Sequence, residues 1–378
     1  MTRATLSEED VRKLLSNPSG ANRAETAAKI ATDFGSGRLS PSERALAEEI
    51  FRLLVRDAEV RVREALAQNL KQNPAMPHDV ALALARDVAS VALPVLQFSD
   101  VLTDDDLIEI IKDREIIAQV AIATRAHISE TVSGALVESR DERVVSTLVA
   151  NQGASITEQS LQTVISTLGD REMVQAAMVN RSRLPVTVIE RLVAVVSEKM
   201  REQLIAKQDM PADLASDLLL QTRERATVTL STESDQGDVE RMVRQIRENG
   251  RLTPSLVLRA LCMGDLRFFE AAMAELVRLP LVNVRQLLHD SGRLGLKAIF
   301  DRSGLPPTFL PAVRAAIDVA REIRMDGGEN DRERYSRRMI ERILTQYGDL
   351  GVTFEASDLE YLLAKMGTLP HDTLDKAA

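Results

Sequence analysis

Val62-Arg63-Glu64-Ala65-Leu66-Ala67-Gln68-Asn69, followed by Pro74, Met76-Pro77 and the run Val80 to Asp87, is the stretch that decides the fold. Its first part is a helix of small and aliphatic residues ending on a polar one. Pro77 then marks a start, because proline lacks an N–H and its fixed φ suits the first turn of a helix. Met76 before it is placed to staple onto that first turn. A second short apolar helix follows, so the stretch reads as a helix pair.

The same junction, an apolar residue before Pro, Thr or Ser, recurs at Leu102-Thr103, Ile128-Ser129, Ile156-Thr157, Leu184-Pro185 and Met210-Pro211. Its second residues lie 26, 26, 28, 28 and 26 positions apart. It returns at Leu252-Thr253, Leu279-Pro280 and Leu305-Pro306, with spacings of 27 and 26, after one interval of 42. Ser and Thr belong at such a place because their hydroxyls accept from first-turn N–H groups. The pair also occurs off register, as at Val145-Ser146, Ile165-Ser166 and Val196-Ser197. It is therefore the near-constant spacing that indicates a repeat. Upstream, Val120 to Thr124, Val145 to Asn151 and Val174 to Asn180 resemble Val62 to Asn69 in being aliphatic and ending polar. Asn at such an end predicts a left-handed stop.

These signals predict an all-α fold, a right-handed α-solenoid of short helix pairs with helical caps at both ends. Residues 1–57 read as an N-terminal cap of three helices. One starts at Ser7, one runs from Ala21 to Phe34 and is stopped by Gly35 and Gly37, and one starts at the capping box Ser40-Pro41-Ser42-Glu43. Repeats are expected over 58–230 and 239–325, with the polar stretch Ser231 to Asp238 between them as a loop insertion. Residues 326–378 form the expected C-terminal cap and tail. There Asp326-Gly327-Gly328-Glu329-Asn330 separates an amphipathic helix over Thr308 to Met325 from another over Asp331 to Tyr347, and a last short helix covers Ser357 to Met366.

With those residues in view, the unit Val62 to Asp87 resembles the leucine-rich repeat variant family, which is HEAT-like in style. Across most of its length the chain resembles the bacterial family called domain of unknown function 2336. That resemblance implies helical repeats and supplies no catalytic residues.

Composition narrows the function. Hydrophobic residues at 44% and charged residues at 28% suit a packed soluble protein rather than a disordered one. Aromatics are 3% with no Trp, so the core should be aliphatic and built of thin helical layers. A net charge of −9 argues against phosphate-backbone binding, which depends on clustered Lys and Arg. Cys262 is the single cysteine, so an intramolecular disulfide is excluded and a reducing compartment is expected. Glu8, Glu9 and Asp10 stand where a secretory signal needs apolar residues, and no apolar run approaches 18 residues. The expectation is a cytoplasmic protein without membrane insertion.

No catalytic, cofactor-binding or metal-ligating constellation emerges, so an enzyme is not expected. His78, His127, His289 and His371 lie far apart, without partners at metal-ligand spacing. Cys262, in the apolar stretch Leu256 to Met263, reads as a buried small hydrophobe. Asp104-Asp105-Asp106 directly after Thr103 reads as a dipole-complementing first turn rather than a cation site. Gly292 and Gly295 lack the lysine and the spacing of a phosphate loop, and read as a turn between helices. Arg334, Arg337, Arg338 and Arg342 form a basic stripe, partly neutralised by Glu333 and Glu341, and are the candidate interaction residues. The function expected is a non-enzymatic interaction scaffold or adaptor with a protein partner and no cofactor. Its rivals are a nucleic-acid-binding HEAT-like protein, including DNA base repair, and a small-ligand-sensing regulatory module.

Overall fold

The computed structural model describes residues 19–322, apart from 38, 114, 209–210 and 291–293, together with 337–338 and 341–342. Among these residues there are nineteen α-helices, one 3-10 turn and no strand. The chain divides into two compact units, Met1–Leu184 and Pro185–Ala378.

The first unit comprises α1 (Gly20–Gly35), α2 (Pro41–Leu54), α3 (Val60–Leu70), α4 (His78–Ala85), α5 (Ala89–Phe98), α6 (Asp104–Asp113), α7 (Ile116–Ala123), α8 (Glu130–Glu138), α9 (Glu142–Ala150), α10 (Glu158–Leu168) and α11 (Glu172–Val179). Odd-numbered helices pack on the next odd-numbered helix from α1 through α11. The even-numbered ones from α2 to α4 and from α6 to α10 do likewise, forming a second layer. Helices this short are marginal alone and take their stability from packing an apolar face on neighbours. That face is aliphatic: Val62, Leu66, Val91, Val95, Ile122, Val144, Leu148, Val174 and Met178 in one layer, and Val80, Leu84, Ile110, Val132, Leu136 and Val164 in the other, are all buried. Each contributes roughly 1.5–3 kcal/mol relative to exposure. Phe34 and Phe51 supply an edge-to-face aromatic pair, 5.1 Å between centroids, where α1 meets α2.

Every junction residue sits at a helix start. Thr103 Oγ1 accepts from Asp106 N at 3.3 Å while the Asp106 carboxylate accepts from Thr103 N and Oγ1. Ser129 accepts from Val132 N, Thr157 from Ser160 N and Thr253 from Leu256 N. Pro77, Pro211, Pro280 and Pro306 flank the helices they precede, and the Pro185 carbonyl receives Val188 N and Ile189 N. Asn151 and Asn180 differ from expectation. Asn151 is extended and Asn180 right-handed, and Asn69 lies inside α3. Among the described residues the left-handed non-glycine ones are Arg140 and Arg278.

The Asn151 side chain has another task. Its Nδ2 donates to the carbonyls of Ala123 and Arg125, at 2.9 and 2.7 Å, across the junction with the preceding unit of the array. Arg125 donates likewise to Leu96 O and Ser99 O, at 2.6 and 2.7 Å, and Arg181 to Val149 O, Asn151 O and Ala154 O. All three occupy one register, seven residues after the buried Ala118, Val144 and Val174. Carbonyls at helix C-termini have no intrahelical partner, so each odd-numbered helix from α5 to α9 is finished by a side chain from the next. Bidentate pairs Arg23–Asp57 and Arg63–Asp87 link the earlier members of the same layer.

The second unit begins with two long helices, α12 (Val186–Gln208) and α13 (Ala212–Glu233). It continues with α14 (Gln236–Glu248), α15 (Pro254–Cys262), α16 (Leu266–Val277), α17 (Leu281–Leu288), α18 (Leu294–Ser303) and α19 (Leu310–Glu322). Contacts run α12 to α14 to α16 to α18, and α13 to α15 to α19. Phe268, Phe269, Phe300, Met242 and Ile246 are buried in its core. The expected loop at Ser231 to Asp238 is corrected here. Ser231 to Glu233 complete α13, Ser234 and Asp235 alone interrupt, and Asp235 caps α14 by accepting from Asp238 N at 2.8 Å. The 42-residue interval is thus taken up by helix, because polar residues at a helix end and an Asp cap satisfy backbone groups as well as a loop does. Gly295 lies inside α18, where a Cβ would come within 2.8 Å of Leu287 O, so it serves close helix approach rather than a turn. Pro307–Phe309 and α19 realise the expected helix over Thr308 to Met325, with Ala312, Val313, Ala316 and Ile317 buried. The helix start at Ser7, the segment Asp326 to Asn330, most of Asp331 to Tyr347 and all of Ser357 to Met366 lie outside the described residues.

Candidate interaction surface

The sequence-derived site residues fall as follows. Arg334 lies outside the described residues, and Arg337 pairs with Glu341 one helical turn on, at 3.0 Å. Arg338 and Arg342 are described in the same short helical segments. Cys262 is buried. Among the described residues no group of three or more His, Cys, Asp or Glu side chains is placed to hold a metal ion.

Charged side chains that sequence reading passed over are instead locked in pairs. Arg251 grips the buried Glu190 bidentately at 2.6 and 2.9 Å. Glu224, also buried, accepts from Thr253 and Ser255, both at 2.6 Å, and faces Arg259 at 3.4 Å. Burial raises the Glu270 carboxyl, but hydrogen bonds and charge from His289 and Arg285, at 2.8 and 2.7 Å, outweigh it and hold the group below its ordinary value. His78 bonds Asp106 at 2.7 Å, and Asp104 accepts from Thr131 at 3.0 Å, so the acidic run serves caps and inter-repeat contacts. A cleft of about 310 Å³ lies between α12 and α13, lined by Ser197, Glu198 and Arg201 on one side and Ser216, Asp217 and Arg223 on the other. Arg201 within it pairs with Glu198 on its own helix.

The surface with the clearest physical signature is the outer stripe of the odd-numbered layer. Helices α5 and α7 contain no charged residue. With Val91, Val95 and Ile122 turned into the core, the other side presents the half-buried Leu93 and Pro94 beside the polar Ser90 and Gln97 on α5, with Phe98 at its end, and Ile117 with the half-buried Val120 and Ala121 on α7. The stripe continues over Arg143, Thr147 and Ala150 of α9 and Met173, Ala176 and Val179 of α11. Phe98, Ile117, Met173 and Val179 are 38, 51, 54 and 69% exposed; Lys71 stands over the Phe98 ring at 4.8 Å, Arg143 lies on α9, and the exposed Glu172 shares the face of Ala176 and Val179 on α11. An all-round apolar helix is normally covered. Here no described element of the unit forms a third layer over α5 to α11. The preceding α3 is different, with Arg61, Arg63 and Glu64 along its length. The signal was present in the sequence as two helices free of Asp, Glu, Lys and Arg.

No helix among the described residues is long and apolar enough to cross a membrane. Architecture and surface together define an all-α protein of stacked helix pairs. The family described as an uncharacterised protein conserved in bacteria, domain of unknown function 2336, matches residues 91–352, and the chain belongs to that family. No curated protein and no solved structure matches it.

Proposed function

We propose that this protein is a non-enzymatic protein–protein interaction scaffold whose contact surface is the outer stripe of α5, α7, α9 and α11. The stripe carries the reading: Phe98, Ile117, Met173 and Val179 stand exposed on successive helices of one layer, and clustered exposed apolar side chains mark a place where another macromolecule is received. In this reading the helix pairs wind as a right-handed HEAT-like superhelix, repeating equivalent positions along one face. The buried lone thiol accords with a cytoplasmic setting. Nucleic acid is disfavoured, since the stripe sets Lys71 and Arg143 against Glu172 and offers no ladder of cations for phosphates.

The test is capture in the native cell. Affinity purification of the full chain should recover a specific protein that is lost with Ile117→Glu combined with Met173→Glu and kept with Leu53→Glu on the other layer. Recovery unaffected by the double change would remove this surface from the function. The cleft between α12 and α13 supports a second reading, sensing of a small polar ligand. A thermal-shift screen in which no nucleotide or amino acid raises the melting temperature would set that reading aside.

A further inference from the structure

The hairpin of α12 and α13 is packed at its base and thins toward its tip. At the base Glu190 and Glu224 are buried, the first bonded to Arg251 and the second to Thr253 and Ser255. Between Ala194 and Ala215 no described residue is buried. The cleft of about 310 Å³ opens between the two helices there, at the lower end of the roughly 300–1,000 Å³ of small-molecule sites.

Its lining holds both satisfied and unsatisfied groups. Arg201 is held by Glu198 on its own helix, and Ser197 donates to Val193 O at 2.7 Å. Asp217 and Arg223 differ. Among the described residues neither has a hydrogen-bond or ion-pair partner for its side chain, and Ser216 has none either. Arg223 is nevertheless half-buried, so a guanidinium partly withdrawn from water keeps all its donors open. Leu219 and Leu220 add an apolar patch beside these groups.

Charge selects the class of occupant. Arg201 and Arg223 balance Glu198 and Asp217, so the lining carries no net charge. A phosphate or dicarboxylate drawn to Arg223 would meet the Asp217 carboxylate, and a polyamine drawn to Asp217 would meet the Arg223 guanidinium. A molecule carrying both signs satisfies the two at once. Asp217 and Arg223 are six residues apart on α13, a rise of about 9 Å. The ammonium nitrogen and carboxylate carbon of an α-amino acid are about 2.5 Å apart, and a charge-assisted hydrogen bond at each end extends that span to about 8 Å.

We propose that the cleft binds a free α-amino acid, its carboxylate on the Arg223 guanidinium, its ammonium on Asp217 and Ser216, and its side chain against Leu219 and Leu220. This rests on the second reading above, in which the cleft receives a small polar ligand. Ser197 and Arg201 come from α12 and the remaining contacts from α13, so the occupant touches both helices and stabilises the hairpin that binds it.

The test is calorimetric titration of the full chain with each standard amino acid, and with inorganic phosphate, succinate and spermidine alongside. One or more amino acids should bind. N-acetylation and carboxyl amidation should each weaken that binding at least about tenfold, as should Arg223→Gln and Asp217→Asn. Lys112→Gln, on α6, should leave it unchanged. Hydrogen exchange with the amino acid bound should slow between Ser197 and Arg223. Circular dichroism melts matching the parent chain without ligand establish that each variant is folded. Binding of phosphate, succinate or spermidine instead, lost with Arg223→Gln or Asp217→Asn, sinks the amino-acid inference and keeps the cleft as a ligand site. So does an amino acid whose affinity survives blocking of either end. Amino-acid binding indifferent to both substitutions, or no binding by any probe, sinks both.

Discussion

Arg125 is 8% exposed at its side chain and spends its guanidinium on two carbonyls of the preceding unit of the array. Arg125→Met keeps the stem but orphans Leu96 O and Ser99 O, which should cost about 2–4 kcal/mol in urea denaturation of the full chain. Arg140 and Arg278 carry the opposite expectation, since both hold φ above +50° where Cβ crowds the following carbonyl. Glycine at either position should raise stability by about 0.5–1 kcal/mol, and a fall in the denaturation midpoint would show that the arginine side chain matters more than the backbone. The Asp57 carboxyl is held below its ordinary value, first by the hydrogen bond from Arg23, against burial, and further by the Glu59 N–H and the Arg23 and Arg63 charges. A depressed acid contributes fully above its unfolded pKa, about 3.9, and loses that contribution as pH falls through the folded value. Asp57→Asn should therefore lower stability at pH 7 and flatten its decline below about pH 4, as midpoints measured at pH 7, 4 and 3 will show. None of these roles was legible from residue type. Asn151 was read as a left-handed stop because asparagine favours that conformation, whereas a neighbouring unit's bare carbonyls drew its side chain away. Only the common register of Arg125, Asn151 and Arg181 could have disclosed it.

At the level of the helix, the spacing of Pro77, Thr103, Ser129, Thr157, Pro185, Pro211, Thr253, Pro280 and Pro306 located nine starts, because capping is local chemistry and local chemistry is written in adjacent residues. The stretch after Pro211 was misread for a related reason. Ser231 to Asp238 is polar, yet polarity separates neither a helix end from a loop nor a two-residue break from an eight-residue one. What lengthens the array there is α13 itself, at 22 residues against 8 for α4. Thr253 ties this long helix to the next, capping α15 and donating to the buried Glu224. Thr253→Val removes both bonds at nearly constant shape, and a loss of about 1–3 kcal/mol is expected on thermal or urea unfolding. Gly153 sets a comparable limit in the first unit, where an added Cβ would fall 2.0 Å from Ala126 O. Gly153→Ala should cost about 1–3 kcal/mol by forcing two backbones apart.

Across the whole molecule, adjacency organises what can be felt where. Helices of the first unit make their substantial contacts with members of their own and neighbouring pairs, and such arrays respond to damage locally. Native-state hydrogen exchange of the Arg125→Met protein should therefore show α5 and α7 losing protection while α16 and α18 keep theirs. Uniform loss would indicate a single cooperative body. The repeat and the all-helical fold were legible because the interactions that build them are short in sequence. The outer stripe was legible only as an absence of charge, which acquires meaning once burial shows which side of α5 and α7 is already occupied.

The shared register of Arg125, Asn151 and Arg181 has a consequence for how this chain can change length. A residue inserted within the seven positions from Ala118 to Arg125, Val144 to Asn151 or Val174 to Arg181 turns the donor off the carbonyls that await it, whereas the stretches from one donor to the next buried anchor already differ in length. Length is thus free to drift in the connections and fixed where the odd-numbered helices end.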